Sequence, residues 1–341
     1  MNRFKSIAVI DKVDRVTFEN EIRPLNQPVV MKGLVSHWPC VEAAKKSPEA
    51  LGAYLKKHDS RRTSLVSVCP AEFKGRFFYN ESLTGVNFTA INESISGLVD
   101  WFLAQPASQC GEARYIQALP IPAVAPDMMA GLDMPLLNTD VQPRLWLGNT
   151  ICTQTHLDRP ENIACHVAGK KVFTLFPPDQ LPNLYMGPLD MTPGGALISL
   201  ASLDEPDFNA HPRFAQALEV AQQAHLEPGD ALYIPSYWWH HVQTTGPLNM
   251  LVNYWWNDAR PDAYHPLATL YLAALSIKHL PSDQRQFWKT MLDYYIFDSA
   301  GDPVAHLPAS IQGAFSQEIS AEKMQLSKRQ FKQRFQQMFN Q

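Results

Sequence analysis

The chain has 341 residues, 45% of them hydrophobic and 18% charged, a balance that excludes intrinsic disorder and allows a sizeable core. Its 29 Lys and Arg against 33 Asp and Glu give a net charge of -4, without the basic excess that a duplex nucleic-acid binder carries. The 27 prolines predict many short strands and turns rather than long helices.

The five cysteines, Cys40, Cys69, Cys110, Cys152 and Cys165, are odd in number and form no CxxC pair. That argues against a disulfide framework or a cysteine-rich zinc site and for a reducing, cytoplasmic setting. The apolar run Ile7 to Ile10 is too short for a signal peptide. The mostly apolar stretch Leu267 to Ile277 falls short of the roughly 20 residues of a membrane span.

In chain order, residues 1 to about 110 read as mixed structure, with strands at Val29–Met31 and Arg76–Tyr79. Ser47-Pro48-Glu49 starts a helix that buries Leu51, Tyr54 and Leu55. A second helix is predicted after Thr89, with Ile91, Ile95, Leu98 and Phe102 on one face. From about 112 to 258 short strands are predicted at Arg114–Leu119, Leu145–Leu147, Ile151–Asp158, Asn162–Val167, Val172–Phe176, Ala231–Ile234 and Met250–Trp256, with turns at Gly169-Lys170 and Pro228-Gly229. This pattern predicts a mainly β fold, a sandwich or barrel. Residues 259–341 read as helical. One helix is capped by Ser282, and a last one runs from Ser327 with Phe331, Phe335, Met338 and Phe339 on one face, which packs on the core or on a second subunit.

Two histidines have a carboxylate two residues on: His156-Leu157-Asp158 and His225-Leu226-Glu227. On a strand, residues i and i+2 share a face, so either pair can offer an imidazole and a carboxylate to one metal ion. A further histidine completes the 2-His-1-carboxylate set that binds non-haem Fe(II) and leaves positions open. His225 and Glu227 enter the Pro228-Gly229 turn and read as a solvated strand end. His156 and Asp158 follow an alternating segment. The third ligand is His240 or His241, one of which faces a pocket, within Tyr237-Trp-Trp-His-His-Val242.

Together, His156-Leu-Asp158, Gly169-Lys-Lys-Val-Phe-Thr-Leu-Phe-Pro-Pro178 and Glu227-Pro-Gly-Asp-Ala-Leu-Tyr-Ile-Pro235 followed by Trp-Trp-His240-His241 resemble the Jumonji-C/cupin-like Fe(II)- and 2-oxoglutarate-dependent oxygenases. Within that family the likeness is to the branch of the factor-inhibiting-HIF-type asparaginyl hydroxylases, from about Pro28 to Trp256. The resemblance implies a double-stranded β-helix (jelly-roll or cupin barrel) over residues 1–258, with a mixed N-terminal part. Residues 259–341 then form a helical region, a homodimerisation element. It implies His156, Asp158 and His240 as iron ligands and catalytic centre. Lys171, fifteen residues after His156, would pair with the distal carboxylate of 2-oxoglutarate, although strand parity leaves Lys170 as a competitor. Thr153, Asn162, Tyr115 and Asn253 would complete the cosubstrate site. Gln117 and Trp239 would face the substrate, and Trp238, Trp239, Trp255 and Leu147 would wall the site. The implied reaction consumes O2 and 2-oxoglutarate, releases succinate and CO2, and hydroxylates a protein or peptide side chain. A small molecule or nucleoside substrate, or a non-catalytic metal-binding scaffold, are the alternatives. The segment Met186 to Pro212 departs from the asparaginyl hydroxylases and would border the substrate groove.

Overall fold

The computed structural model of the protein describes residues 4–105 and 111–339, with side chains to residue 337, so Cys110 and the side chains of Met338 and Phe339 lie outside the described residues. It divides into two units, Met1–Asn257 and Asp258–Gln341.

The first unit is built on strands β1 (Lys5–Ser6), β2 (Ala8–Asp11), β3 (Val29–Lys32), β4 (Ser64–Cys69), β5 (Arg76–Phe77), β6 (Thr89–Glu93), β7 (Ala113–Pro120), β8 (Pro143–Gly148), β9 (Cys152–Leu157), β10 (Glu161–Phe176), β11 (Gln222–Leu226), β12 (Ala231–Ile234) and β13 (Trp239–Trp256). Two long antiparallel strands, β10 and β13, run through both halves of the fold. Glu161–Ala168 of β10 pairs with β12 and with Met250–Trp256 of β13, in a large sheet ordered β2-β3-β12-β10-β13-β8-β7-β4-β6. Their other halves, Lys170–Phe176 and Trp239–Thr245, pair with β11 and β9, which carry β1 and β5 at the edges. The result is two sheets that share two bent strands, the jelly-roll arrangement expected for a cupin barrel.

The bend in β10 falls at Gly169, within the second of two consecutive register shifts. Its φ of +84° suits glycine, and a Cβ there would collide with the Asn249 side chain. The Gly-Lys pair therefore kinks one continuous strand instead of separating two. The Pro228-Gly229 turn does separate strands. It is pinned by buried Asp230, which accepts from Gly33 N (3.0 Å) and Glu227 N (3.0 Å) and pairs with Lys32 at 2.8 Å. The main core lies where the large sheet meets helices Pro39–Lys46, Pro48–His58 and Ile95–Ala104, with Trp38, Leu51, Leu55, Leu98 and Phe102 fully buried. Ser47 caps the second of these as expected, accepting from Ala50 N at 3.1 Å.

Elsewhere the local expectations shift. The segment after Thr89 is strand, not helix, because Ile91 pairs with Val66 of β4; the helix starts at Ile95, where Ser94 Oγ accepts from Gly97 N. The strand expected at Arg76–Tyr79 stops at Phe77. In the second unit Ser282 is the first residue of helix Ser282–Tyr295, not its cap, and the last helix begins at Ala321, before Ser327. Many large apolar side chains of that unit are exposed, among them Leu275, Phe287, Trp288 and Phe331. No helix among the described residues is long and apolar enough to cross a membrane.

Candidate active site

The pairing of β9 with β13 sets His156 directly opposite His240. Residues opposite each other in an antiparallel pair share a face, so both rings enter the space between the sheets. Their centroids are 4.1 Å apart. Asp158, two residues beyond His156 on the same face, places Oδ2 3.4 Å from His240 Nε2. One donor atom from each of His156, Asp158 and His240 lies within 4.8 Å of the others.

The backbone orients both rings. His156 Nδ1 lies 2.9 Å from the Gln154 carbonyl oxygen and His240 Nδ1 3.1 Å from that of Trp238. A carbonyl only accepts, so each Nδ1 carries a proton and each Nε2 is the nitrogen left to face a metal ion. Burial and the neighbouring His240 push the His156 pKa down to about 4, which keeps that ring neutral. Burial works to raise the Asp158 pKa, but the contact with His240 and the influence of both histidines outweigh it, and the carboxyl stays below its ordinary value. Two imidazole nitrogens and one carboxylate at this spacing fit an Fe(II)-class cation with open positions toward the cavity.

That cavity is lined by Tyr115, Thr153, Asn162, Lys171, Asn253 and Trp255 beside the His-Asp-His group. Lys171 points inward and is 7% exposed, whereas Lys170 is exposed; the kink at Gly169 sets this parity. Burial alone pushes the Lys171 pKa down to about 7. A buried ammonium with no carboxylate partner among the described residues is costly, and an anionic ligand offsets the cost. The other polar groups are already oriented. Asn253 Nδ2 donates to Asn162 Oδ1 at 3.1 Å, and Trp146 Nε1 donates to Asn253 Oδ1 at 2.6 Å. Tyr115 hydrogen-bonds the Thr153 side chain, and burial raises its phenol pKa, so it stays protonated as a donor.

Outward from the histidines a mouth of about 310 Å³ is bordered by Phe77, Gln117, Pro193, Gly194 and Ile198. Part of the segment Met186 to Pro212 thus forms its rim. Gln117 sits beside a bulge in β7, next to Ala118, whose φ is +48°; such backbone strain is found mostly where a side chain must be re-aimed.

Three expected contacts change. Trp239 does not face the substrate mouth. It adjoins His240 on the strand, so its indole lies on the opposite face, 2% exposed and packed with Phe176, Leu184 and Phe214. Leu147 likewise belongs to the main core, and its neighbour Trp146 walls the site. Trp238 is buried in a cluster with Ile7 and Phe173 behind the cavity wall. The apolar lining of Phe173, Val242 and Leu251 was not singled out in the sequence, because these residues sit in near-continuous apolar runs that show no inward face. The second pair is solvated: His225 and Glu227 are exposed, and His225 Nε2 lies 3.1 Å from Gln223 Oε1.

Comparison with known proteins agrees in kind. The chain is 35% identical to lysine-specific demethylase JMJ31 of Arabidopsis thaliana over 106 residues, 31% of this chain and 19% of that protein. It is 25% identical to lysine-specific demethylase 8 of Xenopus tropicalis over 241 residues, 68% of this chain and 48% of the relative. It is also 28% identical to tRNA wybutosine-synthesizing protein 5 of Gallus gallus over 149 residues, 39% and 44% of the two chains. The chain thus spans less than half the length of each of these relatives. The cupin-like domain matches residues 15–262, most of the chain, and the protein belongs to the cupin-like domain family.

Proposed function

We propose that the protein is an Fe(II)- and 2-oxoglutarate-dependent oxygenase that hydroxylates a protein or peptide side chain. The observation that carries this reading is a buried, unpaired Lys171 in the same cavity as an inward-facing His156, Asp158 and His240. A metal-binding scaffold has no use for a buried cation beside its metal.

In this reading His156, Asp158 and His240 hold the metal. With 2-oxoglutarate and O2 it supplies oxidising chemistry that releases succinate and CO2 and inserts one oxygen into a C–H bond. The chain's own residues bind, orient and exclude water. Lys171 pairs with the distal carboxylate of the cosubstrate, and Tyr115 and Thr153 hydrogen-bond it. Asn162 and Asn253 are preset by their mutual bond and by Trp146, so they lose little freedom on binding. Trp146, Phe173 and Trp255 keep the cavity apolar. Gln117 contacts the substrate, as in the asparaginyl hydroxylase branch. A mouth that reaches exposed Gly194 suits an extended peptide better than an enclosed small molecule. The net charge of -4 disfavours a tRNA. The relatives named as lysine-specific demethylases are consistent with a protein target.

Anaerobic thermal unfolding tests the site before any substrate is known. With Mn(II) in place of iron, 2-oxoglutarate at about 100 times its dissociation constant is expected to add roughly 2.7 kcal/mol of stability. No increment from 2-oxoglutarate in metal-loaded protein would remove the cosubstrate reading.

Residues 1–258 are the oxygenase domain in this proposal, working in the cytoplasm, where Cys40, Cys69, Cys152 and Cys165 stay out of disulfides. Residues 259–341 are a homodimerisation element, because a unit that exposes Phe287 (60%) and Leu275 (79%) gains by covering them. Light scattering is expected to give twice the chain mass, and Phe287→Glu with Leu275→Glu to give monomer. A monomeric parent protein would overturn this.

A further inference from the structure

The strand pair that presents His156 and His240 inward carries a second set of donors on its outer face. His241 follows His240 and points the other way, and Cys152 lies outward on β9, opposite Gln243. His241 is 1% exposed, yet its imidazole has no nitrogen or oxygen partner among the described residues: Nδ1 is unpaired, and Nε2 faces Cys152 Sγ at 3.6 Å. Asp204 comes from the segment that follows the mouth rim and sets Oδ2 3.7 Å from the same sulfur. Its other oxygen accepts from Gln243 Nε2. The segment is anchored there, since Gln154 Nε2 donates to the carbonyls of Ser199 (3.2 Å) and Ala201 (2.8 Å), and Leu203 is buried.

We propose that Cys152, His241 and Asp204 form a second metal site, for a divalent cation of the Zn(II) class. The donor atoms all lie within 4.8 Å of one another. Zn–S near 2.3 Å and Zn–N or Zn–O near 2.1 Å at tetrahedral angles require donor separations of about 3.6 Å. The sulfur already stands 3.6 Å from the nitrogen and 3.7 Å from the oxygen, so little rearrangement is needed. A thiolate, an imidazole and a carboxylate are a borderline-soft set that favours Zn(II) over Fe(II) or Mg(II), unlike the sulfur-free iron triad.

A fourth position is open to water, because Cys152 and Asp204 line a cavity of about 1010 Å³ together with Arg76 and Glu72. Binding replaces the thiol proton with the metal, releasing one H+ to solvent. Arg76 acts electrostatically on both Cys152 and His241. Its single positive charge is set against thiolate and carboxylate, so the cation enters a site of net charge about -1. An occupied site ties the segment bearing Asp204 to β9 and β13, and residues 193–198 of that same segment rim the substrate mouth.

Co(II) added to chelator-stripped, full-length protein tests this, because only a thiolate ligand gives a sulfur-to-cobalt charge-transfer band in the near ultraviolet. The iron triad has no sulfur, so the readout is independent of the oxygenase function. The expected result is a band that saturates at one equivalent of thiolate-bound cobalt, is displaced by Zn(II), disappears in Cys152→Ser and needs at least about tenfold more Co(II) in Asp204→Asn. No band with Co(II) in excess, or an unchanged band in Cys152→Ser, would overturn the proposal. Should Cys152→Ser not fold, Asp204→Asn at its exposed position decides, and unchanged cobalt affinity there overturns it.

Discussion

Asp158→Ala and His240→Ala are each expected to lower 2-oxoglutarate-dependent succinate release by at least about 100-fold, since loss of a group that merely orients a ligand already costs 10–100-fold in metal affinity. The geometry makes the three donors interdependent. His156 and His240 are fixed by carbonyls two residues earlier in the chain, so neither ring can swing to replace a missing partner. Asp158 contributes the only carboxylate in the set. His225→Ala is the matched control, because it removes a histidine from the other HxD/E-type pair at an exposed position, and it is expected to leave turnover unchanged. Succinate measured by NMR, with folding checked by circular dichroism, separates a lost site from a lost fold. Full turnover in folded Asp158→Ala would end the oxygenase reading.

Asp158 also has a pH consequence. Its folded pKa is lowered, so the ionised carboxylate contributes stability above its unfolded value, and that contribution is lost as pH falls through the folded value. In metal-free protein the stability gap between parent and Asp158→Ala therefore narrows on acidification.

Local patterning made the pairing of His156 with Asp158 legible, because period 2 on a strand is enough to put both on one face. It also marked Ser47 as a cap and most short strands of the middle segment. What it did not reveal depends on partners remote in the chain. His240 and His241 are equivalent in sequence, and only the register with His156 turns one inward. Lys170 and Lys171 follow Gly169, whose positive φ resets the alternation that parity arguments need. Trp239 looked like a site residue from its place beside His240, yet neighbours on a strand face opposite ways, and segment 197–217 buries it. Ile91 has a helical spacing to Ile95, but cross-strand pairing with Val66 prevails over that periodicity. The outer-face group of Cys152, Asp204 and His241 brings together three separate stretches, and no spacing rule would have joined them.

Lys171→Met is expected to stabilise the ligand-free protein while abolishing its response to 2-oxoglutarate. Burial lowers the Lys171 pKa from 10.5 to about 7. At about 1.4 kcal/mol per pKa unit, the ammonium costs on the order of 4 kcal/mol at neutral pH. The sign follows from proton counting: between pH 7 and 10.5 the unfolded chain holds more protons at this site, so stability rises with pH across that window. The penalty is full below pH 7 and gone above 10.5. Methionine fills similar volume without the charge, so the variant should gain about 1–4 kcal/mol near pH 6.5, with the advantage fading toward pH 10. A bound dicarboxylate restores the ammonium's pKa, so binding takes up a proton above pH 7 and the affinity of the parent protein falls as pH rises. Urea denaturation at pH 6.5 and 9.5, with and without Mn(II) and 2-oxoglutarate, reads all of these effects. A less stable Lys171→Met that keeps the full 2-oxoglutarate increment would mean that the lysine is an ordinary structural residue. A more stable variant blind to 2-oxoglutarate would mean that the chain tolerates a destabilising charge because the cosubstrate needs it.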